Sequence, residues 1–231
     1  MRKLHLSIIF FLVIFNSSSQ SLKIAVISDT HYLSSKLAKP SLSLDKYEET
    51  TGRNIYDLHA ILDKVFKHII SQQYDILLIP GDLTNNGEYE SHIDFAQKFT
   101  HLTNHGIRVY VVPGNHDINV PNAKKYIGET AIVTKSISAQ EFEEIYKLFV
   151  YSDAIKRDEA SLSYLVALNR TTWLLCLDSN KYDENRTSPV TSGRIDKRTM
   201  NWAVEILQEA KSKGIEVLGM MHHGLVEHLP Y

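Results

Sequence analysis

The sequence predicts an α/β fold, because short apolar runs rich in β-branched residues alternate with longer segments of helical periodicity. Three runs lack polar alternation and are therefore expected to be strands buried on both faces, namely residues 23–28, 75–79 and 107–112. A fourth run, residues 217–221, shows the same pattern more weakly. The chain has 231 residues, of which 43% are hydrophobic and 23% charged, so one domain with a substantial core is sufficient.

The first 20 residues differ from the rest and predict a signal peptide. Arg2 and Lys3 precede an apolar stretch at residues 6–15, and small polar residues follow it up to Gln20. The apolar stretch is short for a bilayer span, so cleavage near Gln20 is favoured over an uncleaved anchor. We therefore expect an exported protein (periplasmic, secreted or at the cell envelope) with its domain at residues 21–231. Contact with a membrane is expected only if the segment stays uncleaved.

Helical patterns between the strands predict βαβ crossovers. From Ile55 to Ile70 apolar residues recur every three or four positions, which predicts a helix of roughly twenty residues between the first two strands. Residues 85–87 are expected to open a second helix that runs to about His101. Residues 118–158 are less regular, and a short helix is predicted over residues 139–150.

The last third of the chain predicts a hairpin and one more helix. Residues 162–168 and 172–177 have strand character and are separated by three turn-forming residues. Cys176, the only cysteine, falls in the second of these strands, where a small buried residue is expected and no intrachain disulfide is possible. A helix is predicted over residues 196–213, with an aspartate cap at its start and a glycine after its end.

Residues of the kinds that bind metals follow each of the four apolar runs. In open α/β sheets, ligands gather beyond the carboxyl ends of the parallel strands, so the sequence predicts one site assembled from these ends. Two of the ends share a Pro-Gly turn before an oxygen-bearing side chain, at Pro80-Gly81-Asp82 and Pro113-Gly114-Asn115. The four segments are Asp29-Thr30-His31, Gly81-Asp82-Leu83-Thr84, Gly114-Asn115-His116-Asp117 and His222-His223.

In their order, spacing and strand context, these segments resemble the motifs of the calcineurin-like metallophosphoesterase superfamily. The resemblance extends over essentially the whole chain from about Lys23. Single motifs are weak evidence, since Gly-Asp and Gly-Asn are ordinary turn sequences, and it is their combination that favours a site over turns and caps. The resemblance implies two packed mixed β-sheets flanked by helices, and a metal-dependent hydrolase acting on a phosphodiester or phosphomonoester.

The resemblance also implies a role for the metal-binding residues. Asp29 and His31 would bind one metal ion, Asn115 and His222 would bind a second, and Asp82 would bridge the two. Carboxylate, amide and imidazole ligands without a thiolate suit divalent or trivalent ions of Mn, Fe, Zn, Co or Ni. A metal-bound hydroxide would attack phosphorus in line.

Two further roles follow from the resemblance. His116 is expected to be the general acid for the leaving group, with Asp117 orienting it. His223 is expected to support the metal site or contact substrate, although an ordinary exposed loop histidine is an equal alternative. The run Lys124-Lys125 could meet a substrate phosphate, but such a short charge run is more often a solvated loop. The histidines of the helical stretches are expected to be solvated or packing residues: His59, His68, His92, His101 and His105.

One feature departs from the superfamily pattern. That pattern continues beyond the position of His222 to a Gly-His-x-His segment, with one histidine for each metal, and the sequence up to Tyr231 has none. His228 has neither the glycine nor the spacing to replace it. We therefore expect a domain incomplete at its C-terminal end, with each metal one ligand short. This leaves an alternative open, a catalytically impaired homologue that binds a phosphorylated ligand or a partner. Retention of His116 and Asp117 favours the enzyme.

The charge of the chain indicates little about its partners beyond the substrate. The formal net charge is −2, and loss of Arg2 and Lys3 with the predicted signal peptide makes it −4. A mildly acidic surface does not attract nucleic acid by electrostatics alone. A phosphoester substrate is therefore the expected partner, and nucleic acid is not.

Overall fold

The computed structural model describes residues 21–226, so the predicted signal peptide and His228 lie outside the described residues. Within that range the helices are α1 (Leu42–Thr51), α2 (Ile55–Ser71), α3 (Tyr89–Thr103), α4 (Ala139–Tyr146) and α5 (Lys197–Lys213). The strands are β1 (Ile24–Val26), β2 (Ile76–Pro80), β3 (Arg108–Val112), β4 (Lys124–Tyr126), β5 (Ala131–Val133), β6 (Ala154–Arg157), β7 (Tyr164–Ala167), β8 (Thr172–Leu177) and β9 (Glu216–Met221). None of the helices described here is both long and apolar enough to cross a membrane.

A parallel sheet carries three of the four predicted ligand segments. Its strand order is β1-β2-β3, with Ile24 opposite Ile76 and Ile76 opposite Arg108. Helices α1 and α2 connect the first two strands, and α3 connects the second to the third. Because the strands are parallel, the loops that follow them meet at one edge of the sheet.

A mixed sheet supplies the fourth segment. Its strand order is β6-β7-β8-β9, in which β7 pairs antiparallel with β6 and β8, and β9 pairs parallel with β8. Strands β7 and β8 confirm the predicted hairpin. His222 directly follows β9, so it reaches the site from a different sheet than Asp29, Asp82 and Asn115. The four segments are therefore brought together from two facing sheets.

The two sheets pack face to face, with helices outside them. Alternate residues of β8 divide between a cluster that faces the parallel sheet and one that faces α5, namely Leu174 and Cys176 in the first, Trp173 and Leu175 in the second. The hydroxyl of Tyr164 donates to the carbonyl oxygen of Val111 over 2.8 Å and links the sheets directly. Phe66 of α2 and Phe95 of α3 belong to the same cluster as the parallel sheet. The predicted two-sheet α/β architecture is therefore confirmed, and Cys176 is buried as expected.

Strands β1 and β9 are less buried than the sequence predicts. Each lies at the edge of its sheet among the described residues, with one strand neighbour. Val26 is 61% exposed and Leu218 is 41% exposed, whereas β2 and β3 are buried as predicted. A run of apolar residues predicts a strand, but it does not distinguish an edge position from a central one.

Helix ends match the prediction where local capping sets them. Helix α5 begins after Asp196, whose side chain accepts a hydrogen bond from the backbone N–H of Arg198, and it ends at Gly214 with a φ of 66°. Helix α4 ends at Tyr146, short of the predicted residue 150. Helix α3 begins only at Tyr89, so the predicted helix start at residues 85–87 is wrong and these residues form a loop.

Helix α1, strand β6 and the two-stranded ribbon β4–β5 have no counterpart in the sequence analysis. The sequence of α1 is mostly polar, and its ends are set by a Ser41 cap and by Gly52 with a φ of 71°. Helix α1 and the ribbon pack together through a cluster of buried residues, Leu33, Leu37, Leu44, Ile55 and Tyr126. We call this unit the α1–ribbon lobe. It lies beside the loop after β2, because the Tyr47 hydroxyl donates to Asn85 Oδ1 over 2.8 Å.

Candidate metal centre

Left-handed backbone conformations mark two of the predicted ligand segments. Asp29, His31 and Asp82 have φ angles of 54°, 43° and 48°. Residues other than glycine adopt such conformations at a cost of about 1–3 kcal/mol each, and proteins retain that cost mainly at functional sites. The backbone strain therefore points to the same residues as the sequence motifs.

Asp82 lies between two histidines at the centre of the site. Its Oδ2 atom is 3.7 Å from His31 Nε2, and its Oδ1 atom is 3.6 Å from His222 Nε2. The backbone N–H of His116 donates to Oδ1 over 2.8 Å and fixes the orientation of the carboxylate. Each oxygen of this buried carboxylate thus faces a different imidazole. A bridging role requires such an arrangement, and the role itself stays a prediction.

The carbonyl group of Pro80 fixes the tautomer of His222. His222 Nδ1 lies 2.9 Å from this carbonyl oxygen, so Nδ1 carries a proton and donates it. Nε2 then presents a lone pair to Asn115 Oδ1, 3.1 Å away, and to Asp82 Oδ1. These three acceptor atoms repel one another, since the only donor to them named here is the His116 N–H at Asp82 Oδ1, and a cation is the partner that they fit.

Asp29 adds a second carboxylate to this group. One ligand atom from each of Asp29, Asp82 and His222 lies within 4.8 Å of the others. Asp29 is exposed and accepts a hydrogen bond from the Ser28 hydroxyl. This trio includes residues that the resemblance assigns to different metal ions. The division of ligands between two ions therefore stays a prediction.

His31 is held neutral, which is the form that binds metals. Burial lowers its pKa to about 4, and the nearby charge of Arg53 acts in the same direction against the opposing effect of Asp82. Its Nδ1 atom is buried and has no hydrogen-bond partner among residues 21–226. Its Nε2 atom, the one that faces Asp82, is therefore available as a ligand atom at neutral pH.

Two glycines allow the strand-end loops to approach one another. A Cβ atom on Gly114 would lie 2.1 Å from the backbone nitrogen of Asp82 and 2.2 Å from its Oδ1 atom. A Cβ atom on Gly81 would lie 2.5 Å from His222 Nδ1. No side chain fits at these distances. The two Pro-Gly turns noted in the sequence are thus required for close packing of the ligand segments.

Asn86 orients the predicted general acid. His116 Nδ1 lies 2.8 Å from Asn86 Oδ1, so Nδ1 donates to the amide oxygen and Nε2 is left for a substrate. The His116 ring meets the His31 ring edge-on, with 5.1 Å between centroids. Burial lowers the pKa of His116, while the charge of Asp82 opposes this shift.

Asp117 does not orient His116, which corrects the predicted contact. Its carboxylate is fully buried and accepts hydrogen bonds from the backbone N–H groups of Leu83 at 3.1 Å, Thr84 at 2.9 Å and Gly114 at 2.7 Å. The turn closed by the Asp117 N–H and the Gly114 carbonyl directs the Asp117 side chain inward. Asp117 therefore holds the loop after β2 against the loop after β3.

Burial has opposite effects on two titratable groups beneath the site. It raises the pKa of Asp117 to about 7, helped by the charge of Asp82 and opposed by the backbone N–H donors. It lowers the pKa of His92 to about 3. His92 Nε2 donates to the carbonyl oxygen of Asp117 over 2.9 Å, and Nδ1 accepts from the Tyr146 hydroxyl over 2.9 Å. His92 is thus a packing residue, one of the two alternatives that its helical position predicts.

His223 is half-buried and fixed in place behind His222. Its Nδ1 atom lies 2.8 Å from Ser179 Oγ, and its ring is 4.9 Å from the His222 ring, between centroids. A Cβ atom on Gly193 would lie 2.5 Å from the His223 ring. These contacts describe a residue that supports His222 rather than an exposed loop histidine.

Two residues at the site carry no functional signal in the sequence analysis. Asn86 falls in the stretch that the sequence analysis predicts as a helix start. Its position four residues after Asp82, in the same loop, is the signal that could have indicated a role at the site. Arg53 lies in the turn between α1 and α2, where its guanidinium donates to Asn85 Oδ1 over 2.6 Å and to the Tyr47 hydroxyl over 2.9 Å. Nothing in the sequence connects that turn with the strand ends.

The family of the chain follows from a comparison with family models. The model described as calcineurin-like phosphoesterase matches residues 22–230, a span that includes every residue of the site described above. The chain belongs to the calcineurin-like phosphoesterase family. The resemblance noted from the four segments is therefore confirmed.

Two curated relatives match parts of this calcineurin-like phosphoesterase domain. A probable cyclic nucleotide phosphodiesterase of Ruthia magnifica subsp. Calyptogena magnifica is 37% identical over 76 residues, which is 33% of this chain and 30% of the relative. A probable cyclic nucleotide phosphodiesterase of Pseudoalteromonas sp. (strain SM9913) is 32% identical over 124 residues, which is 54% of this chain and 42% of the relative. The matches thus span less than half the length of either relative.

A solved structure supports the fold. The crystal structure of a dimetal phosphatase from Danio rerio has a TM-score of 0.55 to this chain, at 12% sequence identity. The likeness covers 87% of this chain and 69% of the Danio rerio chain. At that identity it concerns the fold alone.

Proposed function

We propose that this chain is a metal-dependent phosphodiesterase. The observation that carries the proposal is the position of Asp82, whose two oxygens face the Nε2 atoms of His31 and His222 at 3.7 Å and 3.6 Å. Membership of the calcineurin-like phosphoesterase family supports a phosphoester substrate. The names of the two curated relatives favour a diester within that class.

The ligand set suits two metal ions with Asp82 shared between them. Asp29 and His31 would hold one ion, and Asn115 and His222 would hold the other. Oxygen and imidazole ligands without a thiolate favour Mn, Fe, Zn, Co or Ni. When bound, the ions would neutralise charge on the phosphoryl oxygens and activate a water for in-line attack.

His116 would donate the proton that the leaving group needs. The attacking water loses a proton as its oxygen bonds to phosphorus, and the bond from phosphorus to the leaving oxygen breaks. The imidazolium form of His116, protonated on both ring nitrogens, passes its Nε2 proton to that oxygen and becomes neutral. The leaving group then departs as an alcohol. Asn86 holds His116 Nδ1, and the hydrogen bond from the His116 backbone to Asp82 keeps the ring beside the ligand set.

Hydrolysis of bis(p-nitrophenyl) phosphate with added Mn²⁺ tests this function directly. The chain is expected to release p-nitrophenol, and EDTA is expected to abolish the release. His116→Ala should leave the bound metal unchanged by elemental analysis and slow turnover by about 10²–10⁴-fold, mostly on esters with poor leaving groups. A chain that binds metal fully but does not hydrolyse the diester would contradict the proposal and favour the impaired homologue that binds without turnover.

Two further substrates define the class more closely. The relatives' names make 3′,5′-cyclic AMP the first natural diester to assay, with p-nitrophenyl phosphate as the monoester comparison. A diesterase should hydrolyse bis(p-nitrophenyl) phosphate with the higher kcat/KM. A clear preference for the monoester would assign the chain to the phosphomonoesterases instead.

We also propose that the protein is exported, on the basis of its first 20 residues alone. Intact-mass measurement on protein from its native host is the test. A mature N-terminus near Gln20 is expected, and a species that retains the apolar residues 6–15 would contradict it.

A further inference from the structure

A cavity of about 430 Å³ lies between the α1–ribbon lobe and the loop after β2. Lys46 and Tyr47 line it from α1, Lys124 and Tyr126 line it from β4, and Asn86 lines it from the loop. Its size falls in the range of about 300–1,000 Å³ that is typical of sites for small ligands. No residue of the predicted metal-binding set lines this cavity.

Asn86 connects the cavity with the proposed general acid. Asn86 is one of the lining residues, and its Oδ1 atom accepts the hydrogen bond from His116 Nδ1 at 2.8 Å. A group bound in the cavity would therefore lie on the His116 side of the centre. In the proposed reaction this is the side from which the alcohol departs.

The walls of the cavity are held in place before any ligand binds. The rings of Tyr47 and Tyr126 are in contact, with 4.4 Å between centroids. The Tyr47 hydroxyl donates to Asn85 Oδ1 over 2.8 Å and accepts from Arg53 over 2.9 Å. A ligand would therefore meet an ordered surface, which reduces the entropy lost on binding.

The charges of the cavity favour an anion. Neither Lys46 nor Lys124 forms an ion pair within the part of the chain that the structure describes, and the guanidinium of Arg53 lies behind Tyr47. Glu129 is the carboxylate among the lining residues, so the two lysines leave the lining positive in a chain whose formal charge is −2. Clustered charge of one sign in a cleft raises the local concentration of ligands of the opposite sign.

Asn122 adds an unpaired polar group to the wall of the cavity. Its side chain is among the lining residues, and its Oδ1 atom is buried without a hydrogen-bond partner in the described residues. An unpaired buried acceptor costs free energy, and a donor that reached it would recover that cost.

We propose that this cavity is the subsite for the leaving group, and that Lys46 and Lys124 make it select alcohols that carry an anionic group. The proposal rests on the proposed function, because only a substrate held at the metal centre places its leaving oxygen beside His116. It identifies the substrate class as phosphodiesters in which the departing alcohol bears a carboxylate or a phosphate.

Two matched chromogenic esters test the selection. They are the methyl phosphodiesters of 4-nitrophenol and of 5-hydroxy-2-nitrobenzoate, whose phenols are similarly acidic but differ by one carboxylate. We expect kcat/KM to be about threefold to tenfold higher for the carboxylated ester, since exposed ion pairs are individually weak. In the Lys46→Ala/Lys124→Ala double variant the two esters should have equal kcat/KM values.

Lys125 provides the matched control. It follows Lys124 on the same strand, where successive side chains point to opposite faces. Lys125→Ala should keep the preference of the parent chain. Equal kcat/KM values in the parent chain, or a preference that survives in the double variant, would overturn the subsite. A preference lost equally in Lys125→Ala would show that net charge, and not the cavity, is responsible.

Binding to EDTA-treated protein separates this proposal from the proposed function. NMR titration with 5-hydroxy-2-nitrobenzoate should shift the side-chain amides of Asn86 and Asn122, and 4-nitrophenol should bind about threefold to tenfold more weakly. If both phenols bind alike, the anion selectivity is refuted. If the carboxylated phenol binds selectively but neither ester is hydrolysed with metal present, the proposed function and the leaving-group role fail, and an anion-binding cavity remains.

Discussion

At the scale of single residues, the site depends on where hydrogen bonds place lone pairs. The carbonyl oxygen of Pro80 accepts a hydrogen bond from His222 Nδ1, so the lone pair of Nε2 faces Asn115 and Asp82. The His116 backbone holds one oxygen of Asp82, and this oxygen remains directed at His222. The resulting group of acceptors is unfavourable without a cation, because nothing within it donates a proton. A change in Asp82 should therefore affect metal binding before it affects folding.

Asp82→Asn tests this. The amide removes one negative charge and presents an NH₂ group to one of the two histidines, so at least one bound metal ion should be lost and turnover should fall far more than stability does. Metal content and kcat on bis(p-nitrophenyl) phosphate are the measurements, and the melting temperature monitors folding. Asp63→Asn, on the exposed face of α2, is the control and should change neither. Full metal content in Asp82→Asn would contradict the central position of this carboxylate.

Asn86 should affect turnover by positioning His116, and it should not affect metal binding. Asn86→Ala removes the acceptor for Nδ1 but leaves His116 in place, so we expect kcat to fall by about 10²-fold, the lower end of the range for loss of general acid catalysis, with metal content intact. The loss should be larger for esters with poor leaving groups, which need the proton most. Asn86→Asp keeps the acceptor and should recover most of the rate. A uniform loss across leaving groups would indicate a structural role instead.

The residues of the site differ in how far the sequence could predict them. Asp29, His31, Asp82, Asn115 and His222 follow apolar strands, so position and residue type together indicated them. Asp117 was placed at the site but given the wrong contact, because a sequence does not show which way a turn directs consecutive side chains. Asn86 and Arg53 act through hydrogen bonds within loops, and such contacts have no periodic pattern to detect.

At the scale of elements, the buried carboxylate of Asp117 holds the strand-end loops together. Gly81 and Gly114 leave the space that this close packing needs. Asp117 accepts three backbone N–H groups from the loops after β2 and β3. Gly114 lets those loops approach to within the distance that a Cβ atom would occupy. Asp82 lies in the first of these loops, and their close packing retains its strained φ angle.

Gly114→Ala should separate these loops. The added Cβ atom would lie 2.1 Å from the Asp82 nitrogen, so the backbone must shift, at a cost of about 1–3 kcal/mol for overpacking. We expect a lower melting temperature and weaker metal binding, because Asp82 moves with its loop. Gly219→Ala is the matched control, since nothing lies within 4 Å of its Cβ position. A Gly114→Ala variant with unchanged metal affinity would show that the loops tolerate separation.

Elements with a strong local pattern were predicted, and elements stabilised mainly by tertiary contacts were not. Helix α2 has a continuous apolar stripe, and α5 has both an aspartate cap and a terminal glycine. Helix α1 is mostly polar and packs through few residues against the ribbon β4–β5, whose strands are three residues long each. The lobe that forms the proposed leaving-group subsite thus lies in the part of the chain with the weakest periodicity.

At the scale of the whole molecule, the site exists only where two sheets face each other. His222 comes from the mixed sheet, and its partners come from the parallel sheet. The Tyr164 hydroxyl bonds to Val111 and fixes the two sheets relative to one another. Beneath the site, the fold buries His92 completely as a neutral imidazole, with Asp117 4.0 Å from its Nε2 atom. The stability of the domain should therefore depend on pH through this histidine.

Acid should destabilise the domain through His92. Its pKa is about 3 in the folded chain against 6.5 for an ordinary histidine, so between these values the unfolded chain binds a proton that the folded chain does not. This contribution is fully present above pH 6.5 and falls by about 1.4 kcal/mol per pH unit as the pH drops toward 3. Asp117 acts in the opposite direction, because its pKa is raised to about 7 and the folded chain binds its proton more readily.

Comparison of His92→Gln with the parent chain separates the effect of His92 on stability from the opposing effect of Asp117. His92→Gln keeps an N–H donor for the Asp117 carbonyl but does not titrate. We expect it to be less stable than the parent chain at pH 7 and to lose less of its stability between pH 6.5 and pH 4, measured by urea unfolding at each pH. His68→Gln, on the exposed face of α2, should follow the parent curve. If His92→Gln and the parent chain lose stability in parallel, the buried neutral imidazole is not the acid-sensitive element.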